Sequence, residues 1–167
     1  AAPLSLGFTM SEAFGPVYAP PPVMIVLSGS ASVSVRIAAG FDTYGFRKAV
    51  EDSDAGVLSR AVDVLDSLYF KTTDTNGNPI PVLQFQGSIA AGAEVSAVII
   101  SVGVEGGISL TVSFYWNDPN NDGKFRFSEF LTTALSNPIC LFNVGGELDL
   151  FLKVFVTIGF SPFSVSF

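Results

Sequence analysis

The chain has 167 residues, of which 49% are hydrophobic and only 14% charged, a composition that excludes intrinsic disorder and a highly charged coiled coil. Fifteen acidic residues against eight basic ones give a net charge of −7, which disfavours a nucleic-acid partner. The chain contains no His, and this excludes His-ligated zinc and His-based catalytic triads.

The first 22 residues read as a strand followed by a proline-rich spacer. Leu4, Leu6, Phe8 and Met10 alternate with small or polar residues, which predicts a half-buried strand. The prolines from position 16 to 22 predict an extended spacer, and they also interrupt the longest apolar stretch, so no transmembrane helix is predicted. We therefore expect residues 1–22 to be a separate segment whose strand could be donated to a neighbouring copy, and residues 23–167 to form one β domain.

Alternation of apolar and polar residues continues through most of the remaining chain. It predicts strands over residues 23–37, 84–101, 108–116, 148–158 and 163–167, with Val33, Val35 and Ile37 facing a core. Asn76-Gly77 predicts a type I′ hairpin turn. The fold class is therefore mainly β, an antiparallel sandwich or barrel with one or two short helices.

Two segments have helical spacing. Leu58 to Tyr69 carries apolar residues three and four apart, with Arg60, Asp63 and Asp66 on the solvent side and residues 52–54 as caps, although 67–72 could equally be strand. Ser128 to Ser136 predicts a second helix that ends before Asn137-Pro138.

Residues 118–129 carry the strongest chemical signal in the sequence. Asp118, Asn120, Asp122, Gly123 and Glu129 have the spacing of a twelve-residue EF-hand calcium loop. Ca²⁺ takes six to eight oxygens, which alternate residues of a curled loop can direct inward, and glycine permits the sharp turn. Lys124 would add its backbone carbonyl and Arg126 a water-mediated ligand. The predicted Ca²⁺ ligands are Asp118, Asn120, Asp122, Lys124, Arg126 and Glu129.

The loop and the helix after it resemble the EF-hand family over these residues. The entering helix is replaced by the strand at 108–116, and this arrangement is similar to the single calcium loops embedded in dockerins and bacterial surface proteins. The resemblance implies calcium binding outside the cell, in a secreted or cell-surface protein of a prokaryote. A single unpaired loop predicts an affinity of about 10⁻⁵ to 10⁻³ M.

Four weaker signals have simpler interpretations. Asp74, Asn76 and Asn78 favour a turn over a second calcium site, because no Glu closes the shell. Glu147 and Asp149 could form a glycosidase pair, but a solvated strand face is favoured. Cys140 is predicted to be a buried thiol, and Trp116 a core residue rather than a sugar platform.

The leading hypothesis is a calcium-stabilised structural or adhesive module of a secreted or cell-surface protein, not an enzyme. A sub-hypothesis concerns the N-terminal strand, which could add to a sheet edge of its own chain or of a neighbour, and only the second case would make a filament. Two alternatives stay open. The alternation at 163–167 is also found in outer-membrane β-barrels. Carboxylates and aromatic residues also suit a carbohydrate-binding module or a carboxylate-based glycan-active enzyme.

Overall fold

The computed structural model describes residues 2–52, 56–97, 99–160 and 163–166, and the predicted mainly β fold is confirmed. The strands are β1 (Leu4–Tyr18), β2 (Val23–Val35), β3 (Ala39–Phe41), β4 (Leu68–Lys71), β5 (Pro81–Ala97), β6 (Ile100–Trp116), β7 (Lys124–Arg126), β8 (Phe142–Phe160) and β9 (Phe163–Ser166). The α-helices are α1 (Tyr44–Glu51), α2 (Val57–Leu65) and α3 (Phe127–Ser136), and a 3₁₀ turn spans Pro138–Leu141.

The strands form two sheets. The larger has the order β1-β2-β5-β6-β8-β9, and the smaller has the order β3-β4-β7. Neighbouring strands are antiparallel: Arg36 N–H bonds to Val82 O near one end of the β2–β5 ladder, and Ser96 N–H to Pro22 O near the other. In the smaller sheet, Phe70 of β4 lies opposite Phe125 of β7.

The chain divides into two compact units, each built from separate stretches. The first unit comprises Ala1–Ser5, Ser34–Gln84 and Ser113–Gly145, and the second comprises Leu6–Val33, Phe85–Val112 and Gly146–Phe167. The expected boundary between residues 22 and 23 lies at the start of β2, beside the short turn that joins two paired strands of one sheet.

The N-terminal segment differs from the prediction in two ways. β1 continues through Gly15-Pro16 to Tyr18, so the predicted proline-rich spacer is reduced to a turn at residues 19–22. The strand was expected to be half buried, yet every residue of β1 is exposed because nothing among the described residues covers either of its faces. Val35 and Ile37 are exposed as well, so the expected inward face at the end of β2 is wrong.

The helices follow the sequence closely in two cases. α3 begins one residue before the predicted start, and α2 ends at Leu65, so residues 68–71 take the strand alternative. α1 was not predicted, which raises the number of described α-helices to three. Of the predicted caps, Ser53 and Asp54 lie outside the described residues, as does Phe167 of the predicted last strand. No helix in the described ranges is long and apolar enough to cross a membrane.

A turn is present at Asn76-Gly77, but the predicted type I′ geometry is wrong, because only Gly77 of these two residues has a positive φ. Its flanking strands also separate. Thr73 and Pro79 form an isolated bridge, and Gly77 has a φ of +83°. Beyond that bridge, β4 pairs with β3 and β7, whereas β5 pairs with β2 and β6.

Candidate metal centre

Aromatic packing fixes both ends of the 118–129 loop within the first unit. Trp116, the last residue of β6, stacks on Phe125 of β7 with ring centroids 5.0 Å apart, and on Phe70 and Phe142 at 5.3 and 4.8 Å. Phe125 is only 1% exposed. Trp116 is thus packed among aromatic rings, as predicted, and the loop between it and Phe125 starts and ends on a rigid base.

Asp118, the first residue of the loop, binds across it. Its Oδ2 accepts hydrogen bonds from Thr72 Oγ1 and from the backbone N–H of Gly123, both at 2.9 Å. Its other oxygen, Oδ1, is buried and has no hydrogen-bond partner in the protein. An unsatisfied buried carboxylate oxygen is costly, and a cation or a water would satisfy it; Asp63 Oδ2, Asp66 Oδ2 and Ser67 Oγ, outside the loop, are also buried without a hydrogen-bond partner.

Two side chains support the turns that follow. Asn120 Oδ1 accepts from Asp122 N–H, and Asp122 Oδ1 accepts from Lys124 N–H, both at 2.9 Å. Asn121 and Gly123 have positive φ values of 57° and 79°. Short oxygen-bearing side chains and left-handed residues are what a tightly curled loop requires.

Glu129, the proposed closing ligand, serves as a helix cap. Its Oε2 accepts from the backbone N–H of Arg126 at 2.8 Å, where α3 begins. Burial raises the pKa of its carboxyl, and the charges of Asp118 and Asp122 raise it further, although the bond from Arg126 opposes them. Binding an ion through both oxygens would therefore compete with the cap.

The acidic side chains do not converge as they stand. Within the described ranges, no group of three or more Asp, Glu or Cys side chains is close enough to hold a metal ion. The donor set still fits Ca²⁺, because an EF-hand-type shell draws on an amide oxygen, a backbone carbonyl and water beside its carboxylates.

The side chains of Lys124 and Arg126 both bind Asp42, which lies outside this shell, but Arg126 Nε also lies 3.8 Å from Asp122 Oδ2, one of the proposed ligand atoms. Lys124 Nζ lies 2.7 Å from Asp42 Oδ2, and Arg126 Nη2 lies 2.9 Å from the same oxygen. Arg126 also donates to the backbone carbonyl of Asp66 at 2.6 Å, and its guanidinium lies 4.3 Å from the Tyr44 ring. At position nine of the loop the Arg126 side chain is engaged in these contacts, and the water-mediated ligand expected there stays a prediction.

This ionic network was not predicted from the sequence. Asp63 and Asp66, expected on the solvent side of α2, are 4% and 1% exposed. Lys48 of α1 lies 2.6 Å from Asp63, and Asp66 Oδ1 accepts from the backbone N–H of Ser128 at 2.7 Å. The solvent-side prediction is wrong because α1, which the sequence did not reveal, packs on α2 and brings Lys48 to these carboxylates. One signal in the sequence could have indicated it: Asp63 and Asp66 lie three residues apart, on the same side of a helix, and Lys48 lies on the preceding segment.

Two pKa shifts reflect the network. Hydrogen bonds from Arg126, aided by Lys124, hold the pKa of Asp42 well below its usual range. The hydrogen bond to Asp63 raises the pKa of Lys48 above 10.5. Both shifts favour the charged forms of Asp42 and Lys48.

The remaining sequence candidates do not join the loop. Asp74 accepts hydrogen bonds from the backbone N–H groups of Asn76 and Asn78, which is the predicted turn. Glu147 and Asp149 are exposed on β8. Cys140 is exposed in the 3₁₀ turn, so its predicted burial is wrong: that turn lies at the surface between α3 and β8.

Comparison with known proteins assigns no family. No family model matches the chain, and no solved structure matches it. It is 28% identical over 94 residues to 4-hydroxy-tetrahydrodipicolinate synthase 1 of Halalkalibacterium halodurans. That stretch is 55% of this chain and 31% of the relative, so the chain spans about a third of that protein's length.

Proposed function

We propose that this protein is a non-enzymatic, calcium-stabilised structural or adhesive module of a secreted or cell-surface protein. Ca²⁺ would be held by Asp118, Asn120, Asp122 and Glu129, the Lys124 carbonyl and a water at Arg126. The buried Oδ1 of Asp118, which has no partner in the protein, is the observation that carries this proposal. The two side-chain-supported turns and the positive φ at Gly123 add to it.

The ion would stiffen the first unit rather than open a groove. The loop joins β6 to α3, and Arg126 and Ser128 at its end bond to Asp42 and Asp66. An ion that fixes the loop would therefore also fix the start of α3 against α1 and α2. An affinity of about 10⁻⁵ to 10⁻³ M would keep such a site filled only where calcium is abundant, as outside cells.

Calcium titration tests the site. At a 100-fold excess of Ca²⁺ over the dissociation constant, mass action should add about 2.7 kcal/mol to the free energy of unfolding. For a chain of this size that raises the Tm by about 5–10 °C. Calorimetric titration and thermal melting with Ca²⁺ or chelator measure both quantities.

Glu129→Gln should weaken calcium binding at least tenfold, because it removes one ligand charge and leaves an amide in its place. In chelator, the variant should melt close to the wild type, since an amide oxygen can still accept from Arg126 N–H. Glu147→Gln, at an exposed position of β8, is the matched control. Equal melting of the wild type with Ca²⁺ and with chelator would refute the proposal.

Assembly by strand addition is the second part of the proposal. β1 stands at one end of the larger sheet's strand order and is exposed along all 15 residues. A long uncovered edge strand can pair with a strand of another chain. Deletion of residues 1–15 should abolish any polymer that electron microscopy detects with the intact chain; polymers of unchanged length would argue against strand addition.

A further inference from the structure

The larger sheet has two chemically different faces within the second unit. Ser30 Oγ and Ser88 Oγ are 2.8 Å apart, and Ser28 Oγ donates to the Glu105 carboxylate. These contacts place the polar side chains of β2, β5 and β6 on one side of the sheet. We call it the polar face.

The side chains of β8 can be assigned to the two faces in the same way. The rings of Phe151 and Phe155 lie against Gly107 and Gly103 of β6, on the face that Glu105 shares. Because strand side chains alternate, Leu148, Leu150 and Leu152 point to the other side.

This opposite side, the apolar face, is uncovered. Its exposure runs from 65% at Phe8 of β1 through 70% at Ile89 of β5 to 81% at Leu150 of β8. Between the bulky rows lies a groove of about 630 Å³, lined by Leu6, Phe8, Ala31, Val33, Phe85 and Leu110 among others.

The charged residues of the second unit lie almost entirely on the polar face. Alternation along the strands places five of them there: Glu94, Glu105, Glu147, Asp149 and Lys153. Alternation places a single charged residue on the apolar face, Glu12, in the middle of β1. A sheet with a charged face and an apolar face is typical of a β-sandwich, in which two sheets pack about 10 Å apart with their apolar faces together.

We propose that the apolar face packs against the same face of a second copy of this chain. Five strands about 4.8 Å apart, with about ten residues each at 3.3 Å, give a face on the order of 800 Å². This equals the area that each partner buries in a standard stable interface. The groove supplies the depression into which bulky side chains of the second copy insert.

A second copy fits this face better than a lipid surface. Lys153 is the only basic residue in the second unit, and it belongs to the polar face. The whole chain carries −7, so anionic headgroups would repel it. In the face-to-face dimer, the charged faces of both copies stay in water. This pairing is independent of calcium and differs from strand addition at β1.

Sedimentation equilibrium of the full chain over a range of concentrations tests the proposal. Both with Ca²⁺ and with chelator, the first species that the wild type forms above the 17.6 kDa monomer should be a dimer, which strand addition at β1 would extend into longer assemblies. Leu150→Lys should raise the dimer dissociation constant at least tenfold, because it places a charge in the apolar face. Asp149→Lys introduces the same side chain one residue away on the polar face and should change the constant less than threefold.

Leu150 is 81% exposed, so its replacement should leave the thermal melting of the monomer unchanged, and circular dichroism checks this. Three results would each overturn the pairing. They are a wild type that stays monomeric at every concentration, equal dissociation by both lysine variants, and a monomer that floats with zwitterionic phosphatidylcholine vesicles. A dimer that resists Leu150→Lys but dissociates on deletion of residues 1–15 would assign assembly to the β1 edge instead.

Discussion

Arg126→Met is the most informative perturbation of the ionic network. The substitution keeps most of the hydrophobic stem but removes the guanidinium, which bonds to Asp42 and to the Asp66 carbonyl; the Arg126 side chain is 8% exposed. Breaking a fully buried charge pair costs about 3–5 kcal/mol. Asp42 is 23% exposed and keeps Lys124 as a partner, so we expect the lower end, about 3 kcal/mol.

A double-mutant cycle isolates the pair. Asp42→Asn alone should also destabilise the protein, and the coupling energy between the two substitutions should be about 1.5–2 kcal/mol, the value of a charge-assisted hydrogen bond. Urea unfolding followed by circular dichroism measures each corner of the cycle. Arg47→Met, at an exposed position of α1, controls for loss of positive charge.

The expected loss of 3 kcal/mol corresponds to a fall in Tm of about 6–12 °C. A loss below 1 kcal/mol, or a coupling energy near zero, would refute the reasoning. It would show that solvent screens this network as fully as it screens an ordinary surface pair.

Two further outcomes are expected. The pKa of Asp42 is lowered by folding, so its contribution to stability is complete above its unfolded value of about 3.9 and is lost as the pH falls toward the folded value. The stability difference between wild type and Asp42→Asn, measured from pH 7 to pH 2, should therefore shrink only below about pH 4, and a constant difference would contradict this. Gly123→Ala should lower the free energy of unfolding more than Gly77→Ala does, as measured by chemical denaturation. Both glycines have positive φ, but a Cβ at Gly123 would lie 2.9 Å from Thr73 Oγ1, whereas a Cβ at Gly77 would have no neighbour within 4 Å. Equal costs would mean that Thr73 moves aside freely.

The features that could be predicted from the sequence are those that depend on local residue patterns. Alternation located most strands, and apolar spacing with Asn137-Pro138 located α3. The turns of the 118–129 loop also follow from short side chains that bond to nearby backbone groups.

The predictions that were wrong concern burial and ion pairing, which depend on contacts between residues far apart in the sequence. Alternation in β1 was interpreted as half burial, but period-two patterning shows that the faces differ, not that one is covered. Asp63 and Asp66 looked solvated because Lys48 and Ser128, which bind them, come from other segments. α1 separates its apolar and polar side chains as well as α2 does, but it was not predicted because it is only eight residues long and less hydrophobic on average.

The Arg126 contacts have a consequence for the order of folding. Arg126 bonds to Asp42 and to Asp66, which lie 84 and 60 residues earlier in the chain. The chain between such distant residues must lose conformational entropy before their bonds can form. This slows folding. During synthesis, α1 and α2 leave the ribosome well before residue 126 does, so Asp42 can pair with the Arg126 guanidinium only after a further 84 residues have been made. The contacts that tie the start of α3 to Asp42 and Asp66 therefore form late in the folding of the first unit.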